Sequence, residues 1–168
     1  NAPNASVVEI PLTAAARNAP IAVAKIRECD EIITTNCNDS EVLEPLNRVF
    51  LDGTDSYDPA NPDDPTAIVG YRWVVIEAPD GSDPNMFDIQ GNTTDTMSMW
   101  MPLAGRYTVR LYVTNNVGIE SGVSDTSDVV FTALPDSRMH IQLVWDSATT
   151  DHDLHMVYAD GITAGGEA

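Results

Sequence analysis

Leu51-Asp52-Gly53-Thr54-Asp55-Ser56-Tyr57-Asp58-Pro59 is the segment around which this 168-residue chain is organised. It begins at the end of an apolar segment containing Val49 and Leu51, a pattern typical of a strand with one buried face. Asp, Gly and Ser follow, and the short Asp and Ser side chains can bond the local backbone, which favours a turn. Asp58-Pro59 then ends the extended segment, because Pro lacks a backbone N–H and restricts the residue before it. The stretch therefore predicts a strand that runs into an ordered polar turn.

Two later segments predict strands that pair around one core. Residues 105–115 alternate between apolar and polar side chains, a period of two that marks a strand with one buried face. Residues 68–76 contain Tyr71-Arg72-Trp73, and Trp73 is predicted to fill the middle of the core. Further strands are expected at residues 21–26, 46–51, 86–89, 96–101 and 123–133, which gives about seven to nine strands, the usual range for a sandwich. The alternating Met97, Met99 and Met101 are predicted core residues, and Tyr107 is placed as in a tyrosine corner.

Together these motifs resemble the PKD family of immunoglobulin-like extracellular modules. The family's recurrent features are a Leu-Asp-Gly-x-x-Ser-x-Asp-Pro turn, a Tyr-x-Trp strand and a Gly-x-Tyr-x-Val-x-Leu-x-Val strand, and the resemblance covers roughly residues 19–133. After Trp73 the chain reads Val-Val-Ile-Glu-Ala-Pro-Asp-Gly-Ser where the commonest pattern has Asp-Phe-Gly-Asp-Gly. That sequence is more similar to the PKD-like branch of egg-jelly-receptor regions and bacterial multidomain surface proteins. The resemblance implies an all-β, immunoglobulin-like β-sandwich.

The sandwich is predicted to be flanked by partial β domains. Residues 1–14 resemble the terminal strand of a preceding domain, although an extra edge strand of the main sandwich fits them as well. Residues 15–134 form the PKD-like β-sandwich. Residues 135–168 resemble the opening hairpin of a further β-sandwich domain of bacterial surface proteins, truncated after its second strand. The chain is therefore expected to be a piece of a larger protein.

Charge narrows the classes of partner. The chain carries 26 acidic and 8 basic residues, for a net charge of -18. Nucleic acid and anionic membrane surfaces are themselves negative, so we expect neither as a partner, and no long apolar segment predicts direct membrane insertion. Most of the acidic side chains are expected to be a solvated, self-repelling surface, and a subset is a candidate for calcium binding.

Cys29 and Cys37 are the only cysteines and stand among acidic and polar residues. This setting predicts a disulfide across a surface loop in an oxidising compartment. Zinc is the alternative, but it needs two further ligands and no His lies near in sequence.

The Pro-interrupted loop that begins at Asp58-Pro59 is a candidate calcium site. Calcium takes six to eight oxygen ligands, and a curled loop can bring them together. Asp58, Asn61, Asp63 and Asp64 are the candidate ligands. Some PKD modules bind calcium with the Asp that matches Asp58, so the resemblance implies a role for that position only. The alternative is that these side chains are simply solvated.

Asp151, Asp153 and His155 form a second, weaker candidate metal cluster. On a strand these three share one face while His152 points away, so His-x-x-His is not a ligand pair, and hydrogen bonding at a turn is the alternative. No nucleophile motif or phosphate-binding glycine loop is found, so we expect no enzymatic activity in this chain.

The expected function is a non-catalytic structural or adhesion module of a secreted or surface-anchored multidomain protein, including one that builds an extracellular appendage. Its expected partners are neighbouring domains of the same chain and other surface proteins or glycans, in an extracellular or cell-surface location. The alternative is a carbohydrate-binding accessory module of a secreted hydrolase, with sugar contacts through Trp100 or Tyr112.

Overall fold

The computed structural model describes residues 19–39, 42–136, 141 and 143. Within them lie six strands: β1 (Lys25–Ile26), β2 (Asn47–Asp52), β3 (Ile68–Glu77), β4 (Thr96–Met101), β5 (Gly105–Asn115) and β6 (Asp128–Ala133). They form two three-stranded antiparallel sheets, in the order β1-β2-β4 and β3-β5-β6. The predicted all-β immunoglobulin-like sandwich is confirmed.

The core lies between the two sheets and is built from alternate residues of each strand. β2 and β4 contribute Val49, Leu51 and the three methionines, which are almost fully buried. β5 contributes Tyr107, Val109, Leu111 and Val113, each fully buried. Because successive side chains of a strand point to opposite faces, this alternation is what the sequence pattern predicted. The methionine row is confirmed as core packing.

Trp73 and Tyr107 stabilise the core both by burying apolar surface and by forming hydrogen bonds. Trp73 is 4% exposed, and its indole N–H donates to the Thr94 carbonyl at 2.9 Å. The Tyr107 hydroxyl donates to the Leu103 carbonyl at 2.8 Å and accepts from the Leu103 N–H at 3.2 Å, which confirms the tyrosine corner. The Tyr107 ring stacks on Phe131 with a centroid separation of 5.4 Å. Both rings are buried while their polar atoms keep hydrogen bonds, and this restricts how the two sheets pack against each other.

The number of strands was overestimated: the described residues form six, not seven to nine. Residues 86–89 were predicted as a strand, which is wrong. A single 3-10 turn, Pro84–Met86, includes the first of these residues instead, because the Asp83 carboxylate accepts a hydrogen bond from the Asn85 N–H and caps the turn. Asp88 then has a positive φ of 40°, which breaks the extended conformation.

Two predicted strands are shorter than expected. Of residues 21–26 only Lys25–Ile26 is a strand, because the segment divides its hydrogen bonds: the Ile21 N–H donates to Tyr57 and the Ala24 N–H to Thr126. Of residues 123–133 only Asp128–Ala133 is a strand. The preceding residues form a turn in which the Ser127 hydroxyl donates to the Ser124 carbonyl at 2.7 Å.

Candidate functional site

The turn after β2 is held by its own polar side chains. Asp52 accepts hydrogen bonds from the N–H and the hydroxyl of Thr54 at 2.8 and 2.7 Å. The Ser56 hydroxyl accepts from the Val23 N–H at 3.0 Å, which attaches the first segment of the domain to this turn. Short polar side chains that bond nearby backbone are the reason that such residues favour turns.

Asp58, the candidate calcium ligand with a family precedent, is 2% exposed. One of its carboxylate oxygens accepts from the Ala60 N–H at 2.9 Å, and the other accepts from the Asn115 side-chain amide at 3.0 Å. Asn115 is fully buried, and its side-chain oxygen accepts from the Ile119 N–H at 2.8 Å. Asp58 therefore connects the end of the β2 turn to the end of β5.

The remaining candidate ligands of the loop lie on the surface beyond Asp58. The Asn61 N–H donates to the Asp58 carbonyl at 2.9 Å, and the Asp64 N–H donates to the Asn61 carbonyl at 3.2 Å, so the loop is curled. The hydroxyl and the N–H of Thr66 both bond the Asp64 carboxylate and lower its pKa. Asp63 is exposed. No group of three or more His, Cys, Asp or Glu side chains converges as a metal site within the described residues. Calcium binding stays a prediction, and Asp151, Asp153 and His155 lie outside those residues.

The disulfide between Cys29 and Cys37 is confirmed, with an S–S distance of 2.04 Å. Inside the loop that it closes, the Asp30 carboxylate accepts from the N–H groups of Ile33 and Ile32 at 2.6 and 2.7 Å, and these bonds lower its pKa. Asn38 follows the second cysteine and bonds Phe50 in both directions, as donor at 2.8 Å and as acceptor at 3.2 Å. The loop is thereby fastened to β2 and extends the first sheet.

The basic side chains of the described residues are paired, with one exception. Each Lys or Arg in this part of the chain other than Arg27 has a carboxylate oxygen within 4.0 Å. In the best-formed pair, Nε and Nη2 of Arg110 each lie 2.6 Å from a carboxylate oxygen of Asp128, and this pairing lowers the pKa of Asp128. Arg27 has no ion pair in this part of the chain, and its Nε is buried without a hydrogen-bond partner.

Comparison with known proteins decides the family. The model described as "K319L-like, PKD domain" matches residues 37–132, which is more than half of the chain. The chain belongs to this PKD domain family. No curated protein matches the PKD domain closely enough to count as a relative.

Solved structures similar to this PKD domain include two from Vibrio. The PKD1 domain of the Vibrio cholerae metalloprotease PrtV has 23% identity and a TM-score of 0.39, covering 68% of this chain and 96% of that chain. The PKD1 domain of Vibrio anguillarum Epp has 20% identity and a TM-score of 0.38, covering 70% and 98%. A nucleoside hydrolase-related hypothetical protein from Saccharophagus degradans has 17% identity and a TM-score of 0.43, covering 70% and 26%.

The two aromatic residues proposed for sugar contact have different surroundings in this PKD domain. The Arg72 guanidinium lies 4.0 Å from the centre of the Tyr112 ring and is paired with Glu120 at 2.8 Å. A sugar that stacks on Tyr112 would have to displace Arg72. Trp100 is half-buried on β4, where its register partner on β2 is Arg48.

Sequence reasoning missed two residues of this site. Asn115 was predicted only as the last residue of the strand at 105–115, although an Asn that ends a buried strand and precedes Asn-Val-Gly is a candidate to satisfy backbone groups there. Arg27 was not singled out. Its signal was its rarity, since it is one of 8 basic residues in a chain with 26 acidic ones.

Proposed function

We propose that this PKD domain is a structural spacer and adhesion module of an extracellular multidomain protein. PKD domains are typically non-catalytic modules of multidomain proteins, and this chain belongs to that family. Neighbouring domains of the same chain are the first expected partners. Contacts with other surface proteins or glycans, including assembly into an appendage, would supply the adhesion.

The observation that carries the spacer role is the position of the two chain ends of the sandwich. Where the chain enters, Ala22 and Ala24 are bonded to Thr126, just before β6. Where it leaves, the Leu134 N–H bonds the Leu43 carbonyl, just after β6. β6 separates these points, and at about 3.3 Å per residue its six residues span about 17 Å. A module that is entered at one end and left at the other lengthens a chain of domains.

The buried polar groups of the domain support a structural role. Asp58 and Asn115 bond each other, Asn38 bonds β2, and Ser127 closes the turn before β6. Each of these buried side chains is used to hold backbone in place. Burying polar groups is tolerated when they are hydrogen-bonded in this way, and such networks rigidify a fold.

The proposed extracellular location is supported by the disulfide and the charge. Disulfides persist in oxidising compartments, and the Cys29–Cys37 bond closes an acidic surface loop. A net charge of -18 keeps a protein soluble and separated from similar copies. Among the described residues, no helix has the length and apolar composition that a membrane-spanning helix needs.

The spacer role is tested by small-angle X-ray scattering of proteins that carry two and four copies of the full chain in series. Each added copy should increase the maximum dimension by a constant length of at least the span of one sandwich. A spacer also has to keep this length when salt screens the repulsion between copies, so the series is repeated at high ionic strength. Arrays that collapse into compact particles at either salt concentration would contradict the spacer role.

We further propose that the loop from Asp58 to Asp64 binds calcium. The loop is curled, Asp63 and Asp64 present carboxylates at its surface, and each oxygen of Asp58 retains a lone pair beyond the bond that it already accepts. A ligand that binds only the folded state raises the unfolding midpoint. The midpoint of the wild-type chain should therefore be higher in millimolar calcium than in chelator.

Two variants separate calcium binding from structure. Asp58→Ala removes two hydrogen bonds and should lower the midpoint in both conditions, so its informative quantity is the difference between calcium and chelator. The Asp63 carboxylate accepts no hydrogen bond from another described residue, so Asp63→Asn should reduce that difference without lowering the midpoint in chelator. If the wild-type chain melts identically in calcium and in chelator, the calcium proposal is wrong.

A further inference from the structure

A groove on the outer face of the first sheet has a composition unlike the rest of the domain. Its volume is about 420 Å³, and Phe50, Arg27 and Arg48 lie along it together with the neutral side chains of Asn36, Thr94 and Thr96. None of the residues that line it is acidic. In a chain with 26 acidic residues this is a local reversal of charge. The neighbouring groove between β1 and β6 contains Glu28, Asp30, Asp52 and Asp128, and Arg27 lies along both grooves.

Arg27 is the cation of this groove that the protein leaves uncompensated. Arg48 is already engaged by Asp88 and by the Ser98 hydroxyl, the latter at 3.1 Å. Arg27 has neither an ion pair nor a side-chain hydrogen bond to another described residue, and its Nε is buried. An anion in the groove can accept from the terminal nitrogens of the Arg27 guanidinium and neutralise its charge.

The other groups of the groove match a sugar ring. Phe50 is half-buried on β2 and presents an aromatic surface, on which the apolar face of a pyranose can stack. Neither the Thr96 hydroxyl nor the Asn36 side-chain amide bonds a described residue, so both are available to sugar hydroxyls. An apolar surface with a few convergent polar groups and one charge is the usual composition of a small-molecule site, and 420 Å³ is within the usual range of volumes.

We infer that this groove binds an acidic sugar, with the uronic acid carboxylate on the Arg27 guanidinium and the ring against Phe50. An acidic peptide would use Arg27 but would leave the aromatic surface and the hydroxyl-matched side chains unused, so the acidic sugar is favoured. The inference goes beyond the spacer role and does not depend on it. Scattering can show a compact array while the groove still binds its ligand, and the reverse can also occur.

The test is a titration of the isotope-labelled full chain, followed through amide and Arg Nε–H resonances. The probes are trigalacturonate, the neutral trisaccharide maltotriose and triglutamate. Trigalacturonate should shift the resonances of Arg27 and Phe50, whereas maltotriose and triglutamate should bind about tenfold more weakly or not at all, because each lacks one half of the match.

Variants then assign the contact. Arg27→Gln should weaken trigalacturonate binding about tenfold, since a hydrogen bond to a charged group is lost. Arg27→Lys keeps the charge but not the planar fork and should fall in between. The matched control is Arg106→Gln on β5, an arginine whose side chain is 63% exposed and which does not line the groove. It should bind like wild type.

Several results would overturn the inference. Maltotriose that binds the wild-type chain as tightly as trigalacturonate removes the role of Arg27, and this result needs no variant to fold. Triglutamate that binds equally well reassigns the groove to acidic peptides. Unchanged binding by Arg27→Gln, in a variant whose amide spectrum shows an intact fold, also contradicts the inference.

Discussion

Gly53 is the position where the turn after β2 meets the core, and Gly53→Ala should destabilise the domain. A Cβ placed there would lie 2.6 Å from Leu111 Cδ2, 3.0 Å from the Trp73 ring and 3.1 Å from the Asp95 carbonyl oxygen. Leu111 is fully buried, so its methyl group cannot swing away without moving its neighbours. Overpacking of this kind costs about 1–3 kcal/mol. Ala also restricts the unfolded chain, which returns about 0.4–1 kcal/mol.

The net expectation for Gly53→Ala is a loss of about 1–2 kcal/mol, or about 4–10 °C in the unfolding midpoint. Gly122→Ala is the matched control, because a Cβ there has no heavy atom within 4 Å and the backbone has no positive φ. It should be neutral or stabilising by about 0.4–1 kcal/mol. The measurement is chemical and thermal unfolding of both variants. If Gly53→Ala is as stable as Gly122→Ala, the close approach of the turn to Leu111 and Trp73 does not exist.

Three further predictions follow from the same structure. Reducing the Cys29–Cys37 bond should lower the free energy of unfolding by roughly 2–3 kcal/mol, and without reductant alkylation should leave the intact mass unchanged; two alkylations without reductant would contradict the bond. Arg110 lowers the pKa of Asp128 below 3.8, so the stability from this pair is present above that pH and is lost as the pH falls through the folded-state pKa. The stability difference between wild type and Asp128→Asn should therefore shrink in acid titrations, and a constant difference would refute the pairing. Tyr107→Phe keeps the ring stacked on Phe131 but removes both bonds to Leu103, and it should cost about 1–2 kcal/mol by urea unfolding, with a neutral result counting against the tyrosine corner.

Much of the fold could be predicted from the sequence because the strands show a local alternation of apolar and polar residues. Residues 105–115 alternate so regularly that β5 was predicted at its observed bounds, and the methionine row placed β4 equally well. Those predictions need only the rule that successive side chains of a strand point to opposite faces. The disulfide was predictable for a similar reason, because its two cysteines are close in sequence and stand in a polar setting.

Two of the missed features depend on contacts between residues that are distant in sequence. The 3-10 turn is the exception, since the Asp83 carboxylate that caps it bonds the Asn85 N–H only two residues away. The Asp58–Asn115 bond joins residues 57 positions apart, and no local sequence pattern predicts it. Arg27 was overlooked because its importance depends on which carboxylates fail to reach it, a property of the folded surface and not of the sequence around it.

The polar side chains of the turn after β2 fix positions that apolar packing alone would not fix. Asp52 rigidifies the turn itself, Ser56 attaches the first segment of the domain, and Asp58 reaches Asn115 at the end of β5 in the opposite sheet. Hydrophobic contacts between two sheets are non-directional and tolerate sliding. Hydrogen bonds have defined lengths and angles, so the Asp58–Asn115 bond, which alone of the three joins the two sheets, restricts their relative position. Gly53 lies in the same turn and has no room for a side chain, because Leu111, Trp73 and the Asp95 carbonyl lie against it.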